Sequence, residues 1–136
     1  MHDAHYHYSK EINQLQNEYG IYGICNVANK EEYEIVNRQN LFYSCGVHPW
    51  KASLDTLESM LPLLKQASII GEIGMDSVWC DVNLEIQKEV FEKQLQLAKE
   101  WDKPVILHTK GQEKTILDLI RKYPNTYVVH WYGCMD

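Results

Sequence analysis

The chain has no long apolar run. No window approaches the roughly 18 consecutive apolar residues of a membrane-spanning helix, so neither a span nor a membrane partner is expected. Its first residues show no basic region followed by an apolar stretch, so no signal peptide is expected and the cytoplasm is the default location. Cysteines are few, and none of Cys25, Cys45, Cys80 and Cys134 stands in a Cys-x-x-Cys pair. Cys25 and Cys45 lie in apolar stretches, where small buried thiols are common, and the set reads as reduced and structural. Positive charge is also short. Lys and Arg number 13 against 19 Asp and Glu, a net charge of −6. That excludes a broad basic surface of the kind that holds nucleic acid by counterion release. Positive charge offered to a phosphodiester must therefore be local, from metal ions and a few lysines. Linkers, low-complexity segments and charge blocks are absent as well.

What is present is ordinary globular composition, 45% hydrophobic and 24% charged, in a length of 136 that supports one domain over residues 1–136. Short apolar runs alternate with amphipathic stretches about six times. Helices are expected over 9–19 (Ser9 as cap), 30–38 (Asn29 as cap), 54–65 (Ser53 as cap), 83–101 and 112–122. In the third, Leu57, Met60, Leu61 and Leu64 recur at helical spacing. In the fourth, the clearest, Val90, Phe91, Gln94, Leu95, Ala98 and Trp101 form a packing stripe. Strands are expected at the N-terminus through His7, then over 20–27, 41–47 and 68–74, at 105–107 running into His108, and at 127–129 leading to His130. The strands are continuously apolar rather than alternating. That is the pattern of a parallel sheet covered on both faces and built from βαβ units.

In such architectures functional groups gather at the C-terminal ends of strands. His5 and His7, two apart on an extended strand, point to the same side. His48 follows the third strand, Glu72 lies late in the fourth, and His108 and His130 end the fifth and sixth. Alone, His-x-His near a terminus reads more readily as a surface feature or an expression remnant than as a metal site. Five of the 6 histidines on one rim favour a metal site. Imidazoles with a carboxylate suit Zn, Mn, Fe or a similar divalent ion. A carboxylate between two histidine groups can bridge two metals, and such a pair can bind both the attacking and the leaving oxygen at phosphorus. The alternative for Glu72 is a buried salt bridge. An isolated buried carboxylate is costly and no Lys or Arg lies near it in the sequence, which favours the ligand role.

The same residues carry a resemblance. Asp3-Ala4-His5-Tyr6-His7, Gly46-Val47-His48-Pro49, Gly71-Glu72-Ile73-Gly74-Met75-Asp76, Pro104 to Lys110 and Val128-Val129-His130-Trp131-Tyr132 resemble the successive motifs of the TatD family. Gln87, Phe91, Gln94, Leu97 and Ala98 resemble its helix before the fifth strand. The resemblance implies a TIM-barrel-type (β/α) fold and a metal-dependent hydrolase of the deoxyribonuclease type, cleaving phosphodiester bonds with metal-activated water. It implies one or two divalent ions (Zn, Mg or Mn) on His5, His7, Glu72, His108 and His130, with Glu72 catalytic, and His48 and Lys110 facing substrate phosphate. Lys110 stands where many members have Arg; it keeps the charge and loses the bidentate fork. Trp131-Tyr132-Gly133 departs from the Cys-Phe-Ser-Gly usual there, so a different rim chemistry is expected. Trp50 is a candidate to stack on a base of a DNA or other phosphodiester substrate; the alternative is packing over a loop.

A TIM barrel takes about 250 residues and eight strands. This chain supplies about six βα units, so an incomplete barrel is expected, without the family's last acidic ligand, since Asp136 comes too early in the strand order. Weak or absent hydrolysis is expected on that ground, and either a homo-oligomer that covers the open barrel edge or a marginally stable open barrel. The competing functions are a non-catalytic remnant that binds metal or a partner, and a phosphoesterase of the histidinol-phosphatase type.

Overall fold

The computed structural model describes residues 2–7, 22–39 and 42–130, with side chains from residue 24 onward within those spans. The helix expected over 9–19, Trp131-Tyr132-Gly133, Cys134 and Asp136 lie outside the described residues. The described elements are β1 (His2–His7), β2 (Tyr22–Val27), α1 (Lys30–Arg38), β3 (Tyr43–Cys45), a 3-10 turn (Pro49–Lys51), α2 (Leu54–Gln66), β4 (Ile70–Gly74), α3 (Leu84–Glu100), β5 (Val105–His108), α4 (Glu113–Ile120) and β6 (Tyr127–His130).

The strands form one six-stranded sheet in the order β1-β2-β3-β4-β5-β6. Every pairing is parallel. Each strand lies beside its neighbour in the chain, with no reversal of order. That is the winding of a (β/α) barrel wall rather than of a doubly wound sheet, which turns back at a switch point. All five residues of β4 and all four of β5 are buried, as strands covered on both faces must be. β6 differs: Val128 and Val129 are 45% and 43% exposed, so its apolar run is not continuously buried.

The helices start where capping chemistry puts them. The Asn29 and Ser53 side chains accept from the Glu32 and Thr56 N–H groups at 2.8 and 3.0 Å. Asn83 accepts from Glu85 and Ile86 at 2.8 and 3.3 Å. Each such cap contributes about 1 kcal/mol. The helix faces then pack on the sheet, with Val36, Leu57, Met60, Phe91, Leu95 and Ile116 all in the core. In α2 the stripe shifts slightly, since Leu63 is buried and Leu61 only half-buried.

Two strands are shorter than the apolar runs suggest. β4 begins at Ile70 after a bend, and β3 ends at Cys45. Beyond Cys45 the Gly46 N–H still donates to the Val27 carbonyl at 3.3 Å, and then a side chain becomes the partner: the Val47 N–H donates to Gln94 Oε1 at 2.7 Å. Cys25, Cys45 and Cys80 are free thiols. Burial first, with the Glu32 carboxylate adding to it, pushes the Cys45 thiol up to about 12, which fits a structural role. No helix among the described residues is long and apolar enough to cross a membrane.

Candidate functional site

β4 supplies the centre of the site. Glu72 is its third residue, in mid-strand rather than late, and only 2% exposed. Its N–H donates to Asn26 Oδ1, on β2, at 2.7 Å. Its Oε1 lies 2.7 Å from His108 Nδ1 and 3.4 Å from His48 Nε2. His108 ends β5, with Gly74 as its register partner on one side and His130 on the other. His48 reaches the same point from the 3-10 turn after β3, its ring 4.7 Å from that of His108, centroid to centroid. Among the described residues, the ligand atoms of His48, Glu72 and His108 all lie within 4.8 Å of one another.

The rings carry distinct proton arrangements. His48 Nδ1 accepts from the Trp50 backbone N–H at 3.1 Å. The proton of that imidazole is therefore on Nε2, so His48 offers an N–H donor where Glu72 lies. His108 sits between two carboxylates, with Nδ1 on Glu72 and Nε2 on Asp76 Oδ2 at 2.9 Å. Burial pushes the His108 imidazole down, but its hydrogen bonds to Glu72 and then Asp76, with the charges of both, outweigh that and raise it.

Asp76 is fully buried. Burial pushes its carboxyl up, but the Trp79 N–H, the Trp50 indole, His108 and the Val78 N–H together bring it down to about 2. It is therefore an ionised acceptor at neutral pH.

The donor set suits a divalent cation: an imidazole nitrogen and a carboxylate oxygen share one proton-sized gap, with further histidines on the neighbouring strand ends. A cavity of about 410 Å³ opens over it, and Asn26, His48, Glu72, His108 and His130 all line it. Trp50 and Trp79, 47% and 51% exposed, line it as well, with Lys51. Thus His48, Trp50, Glu72, His108 and His130 share one cavity. Lys110 is not among its lining residues; its Nζ lies 4.5 Å from the centroid of the Trp79 ring, which does line it. His5 and His7 are on β1, beside β2, where the register shifts between Asp3 and Tyr6. The metal role assigned to their side chains lies outside the described residues.

Trp50 is neither free nor merely packed over a loop. Its indole N–H donates to Asp76 Oδ2 at 2.8 Å, which fixes the ring beside the cavity.

α3 holds this arrangement in register. Gln87 and Gln94 are about two turns apart, on one helix face. Gln94 takes both backbone groups of Val47, accepting at 2.7 Å and donating at 3.3 Å. Gln87 does the same for Asp76, at 2.8 and 3.2 Å. Sequence reasoning put Gln94 in a packing stripe and gave Asn26, Lys51, Asp76, Trp79 and Gln87 no role. A polar residue in an apolar stripe was the signal for Asn26 and the glutamines. Gln94→Leu should leave the buried Val47 N–H unpaired and cost about 1–3 kcal/mol. A lowered denaturation midpoint, together with a shift in Trp50 fluorescence as the turn at His48 moves, is the expected result. Unchanged values of both would show that the clamp does not matter.

A family model described as TatD related DNase matches residues 2–134. An uncharacterized metal-dependent hydrolase of Methanocaldococcus jannaschii is 35% identical over 94 residues, 65% of this chain and 37% of its own length. A second uncharacterized metal-dependent hydrolase, YabD of Bacillus subtilis, is 33% identical over 98 residues, 68% of this chain and 36% of that protein. A human 3'-5' RNA nuclease is 31% identical over 104 residues, 71% of this chain and 14% of that protein. The crystal structure of YjjV, a TatD homologue from Escherichia coli, superposes with a TM-score of 0.80 at 26% identity, covering 98% of this chain and 60% of that one. The chain thus spans 37% and 36% of the length of the first two relatives.

Proposed function

The chain belongs to the TatD family, and from that premise we propose that it carries the metal-binding part of a divalent-metal-dependent nuclease acting on phosphodiester bonds, of the deoxyribonuclease type. The observation that carries this reading is the meeting of His108 Nδ1 and Glu72 Oε1 under a cavity that His130 also lines. Glu72, His108 and His130, with His5 and His7 on β1, hold one or two ions. A divalent ion bound there supplies Lewis-acid activation of water and of a phosphoryl oxygen. His48 donates its Nε2–H to a non-bridging phosphate oxygen. Lys51 on the cavity and Lys110 against the Trp79 ring add the local positive charge that a chain of net charge −6 otherwise lacks. Trp50 presents its fixed ring to a base, a contact worth roughly 1–3 kcal/mol.

The test is cleavage of single-stranded DNA and of RNA by the purified chain. Activity should disappear on chelation and return with Zn, Mn or Mg. No cleavage with any of the three, despite metal uptake, favours the non-catalytic reading. Lys110→Ala should weaken binding of a phosphodiester substrate about tenfold, roughly 1.4 kcal/mol, and leave a neutral ester unaffected. Equal losses on both substrates would sink the phosphate role of Lys110.

A further inference from the structure

Asp76 has no assigned role, yet its carboxylate meets four hydrogen-bonding groups beside the cavity. Oδ1 accepts from the Val78 and Trp79 backbone N–H groups, each at 2.8 Å. Oδ2 accepts from the Trp50 indole at 2.8 Å and meets His108 Nε2 at 2.9 Å. A carboxylate offers about four lone-pair sites, and all four are used here. Asp76 is therefore not itself a cation ligand; the His108 ring stands between it and Glu72, with one nitrogen toward each.

Three N–H groups already point at the Asp76 oxygens, so the carboxylate meets His108 as an acceptor too and Nε2 carries the proton between them. Nδ1, on the side of Glu72 and the cavity, is the nitrogen that a cation can reach. We propose that Asp76 is a positioning residue of the metal centre: it fixes the His108 imidazole with Nδ1 toward Glu72 and, through the same oxygen, ties the Trp50 ring to that ligand. The inference rests on the metal-binding reading above. It adds that ligand orientation and the aromatic wall of the cavity share one anchor. A carboxylate behind a metal-binding histidine commonly sets the tautomer and raises the basicity of the ligating nitrogen.

Asp76→Asn is the discriminating change. Its amide oxygen can keep the Val78 and Trp79 N–H groups, so the turn survives. Its Nδ2 then stands where Oδ2 was, a donor facing two donors. His108 must offer it the Nε2 lone pair, which moves the ring proton to Nδ1, the side that a cation needs. Zn affinity of the full 136-residue chain, measured by calorimetry, should fall about 10- to 100-fold. Trp50 fluorescence, identified by difference from Trp50→Phe, should shift as the indole loses its acceptor. Histidine-selective 15N NMR of the Zn-loaded wild-type chain gives a readout that a merely structural role would not set. His108 should carry a proton on Nε2 and none on Nδ1.

Wild-type Zn affinity in a folded Asp76→Asn chain overturns the proposal, and so does a metal-bound Nε2 in the wild type. If Asp76→Asn does not fold, the wild-type spectrum still decides. A wild-type chain that takes up no Zn, Mn or Mg defeats the metal-binding reading and this inference with it. A wild type that binds metal beside an indifferent Asp76→Asn defeats this inference alone.

Discussion

Glu72→Gln should abolish metal occupancy at working concentrations, lowering affinity by at least ~100-fold, the upper end of what losing an outer-sphere partner costs. The substitution changes one atom and almost no volume, so packing in the fully buried β4 is kept. What changes is charge. A neutral amide is a poor ligand for a hard cation, and its NH₂ group brings a donor toward His108 Nδ1 or the His48 Nε2–H, both of which now face Oε1. Hydrolysis of DNA or RNA should fall with occupancy and should not recover with added metal. The check is elemental analysis of the purified variant beside a denaturant curve. A folded variant with wild-type metal content would remove Glu72 from the ligand set.

Among the described glycines, Gly74 should be the one at which an added methyl does most damage. Gly74 has φ of 153°, a region that L side chains rarely adopt. A Cβ there would fall well inside contact distance of the His108 carbonyl oxygen, a rigid backbone atom of the neighbouring strand. Backbone strain of about 1–3 kcal/mol adds to an overpacking cost of about 1–3 kcal/mol. Against a total stability of about 5–15 kcal/mol, that leaves the chain marginal or unfolded. Expression yield and thermal midpoint read the effect. If the variant folds, metal affinity should still drop, since relief of the clash has to push β5 and His108 away from Glu72. Gly46→Ala is the milder comparison, because its Cβ would meet the Ile73 Cγ2 methyl, a side-chain atom.

The fold was legible where local rules act. Asn29, Ser53 and Asn83 cap the helices that periodicity marks, and apolar runs ending in histidine mark β5 and β6. Glu72 was legible for a different reason, as one charge inside an apolar strand. Asp76 was not, although it stands four positions later. Its partners Trp50 and His108 are 26 and 32 positions away, and no spacing in the chain says that an indole and an imidazole will share one oxygen. Lys110 was read from its place after β5 as facing phosphate, and spacing alone gave no sign of its aromatic neighbour. Its ammonium lies over the Trp79 ring, 4.5 Å from the centroid. Trp79 itself follows a turn whose shape is set by Asp76 Oδ1, again invisible to a pattern reader.

The paired glutamines of α3 make the site an all-or-none object. One rigid rod grips the backbone just before His48 with one hand and the backbone of Asp76 with the other. The loop after β3 and the loop after β4 therefore cannot wander separately. Loosening of the helix releases both together, and seating it restores both in one step. Those two loops carry the histidine beside Glu72 and the carboxylate behind His108, so one helix sets the surroundings of the site from both sides.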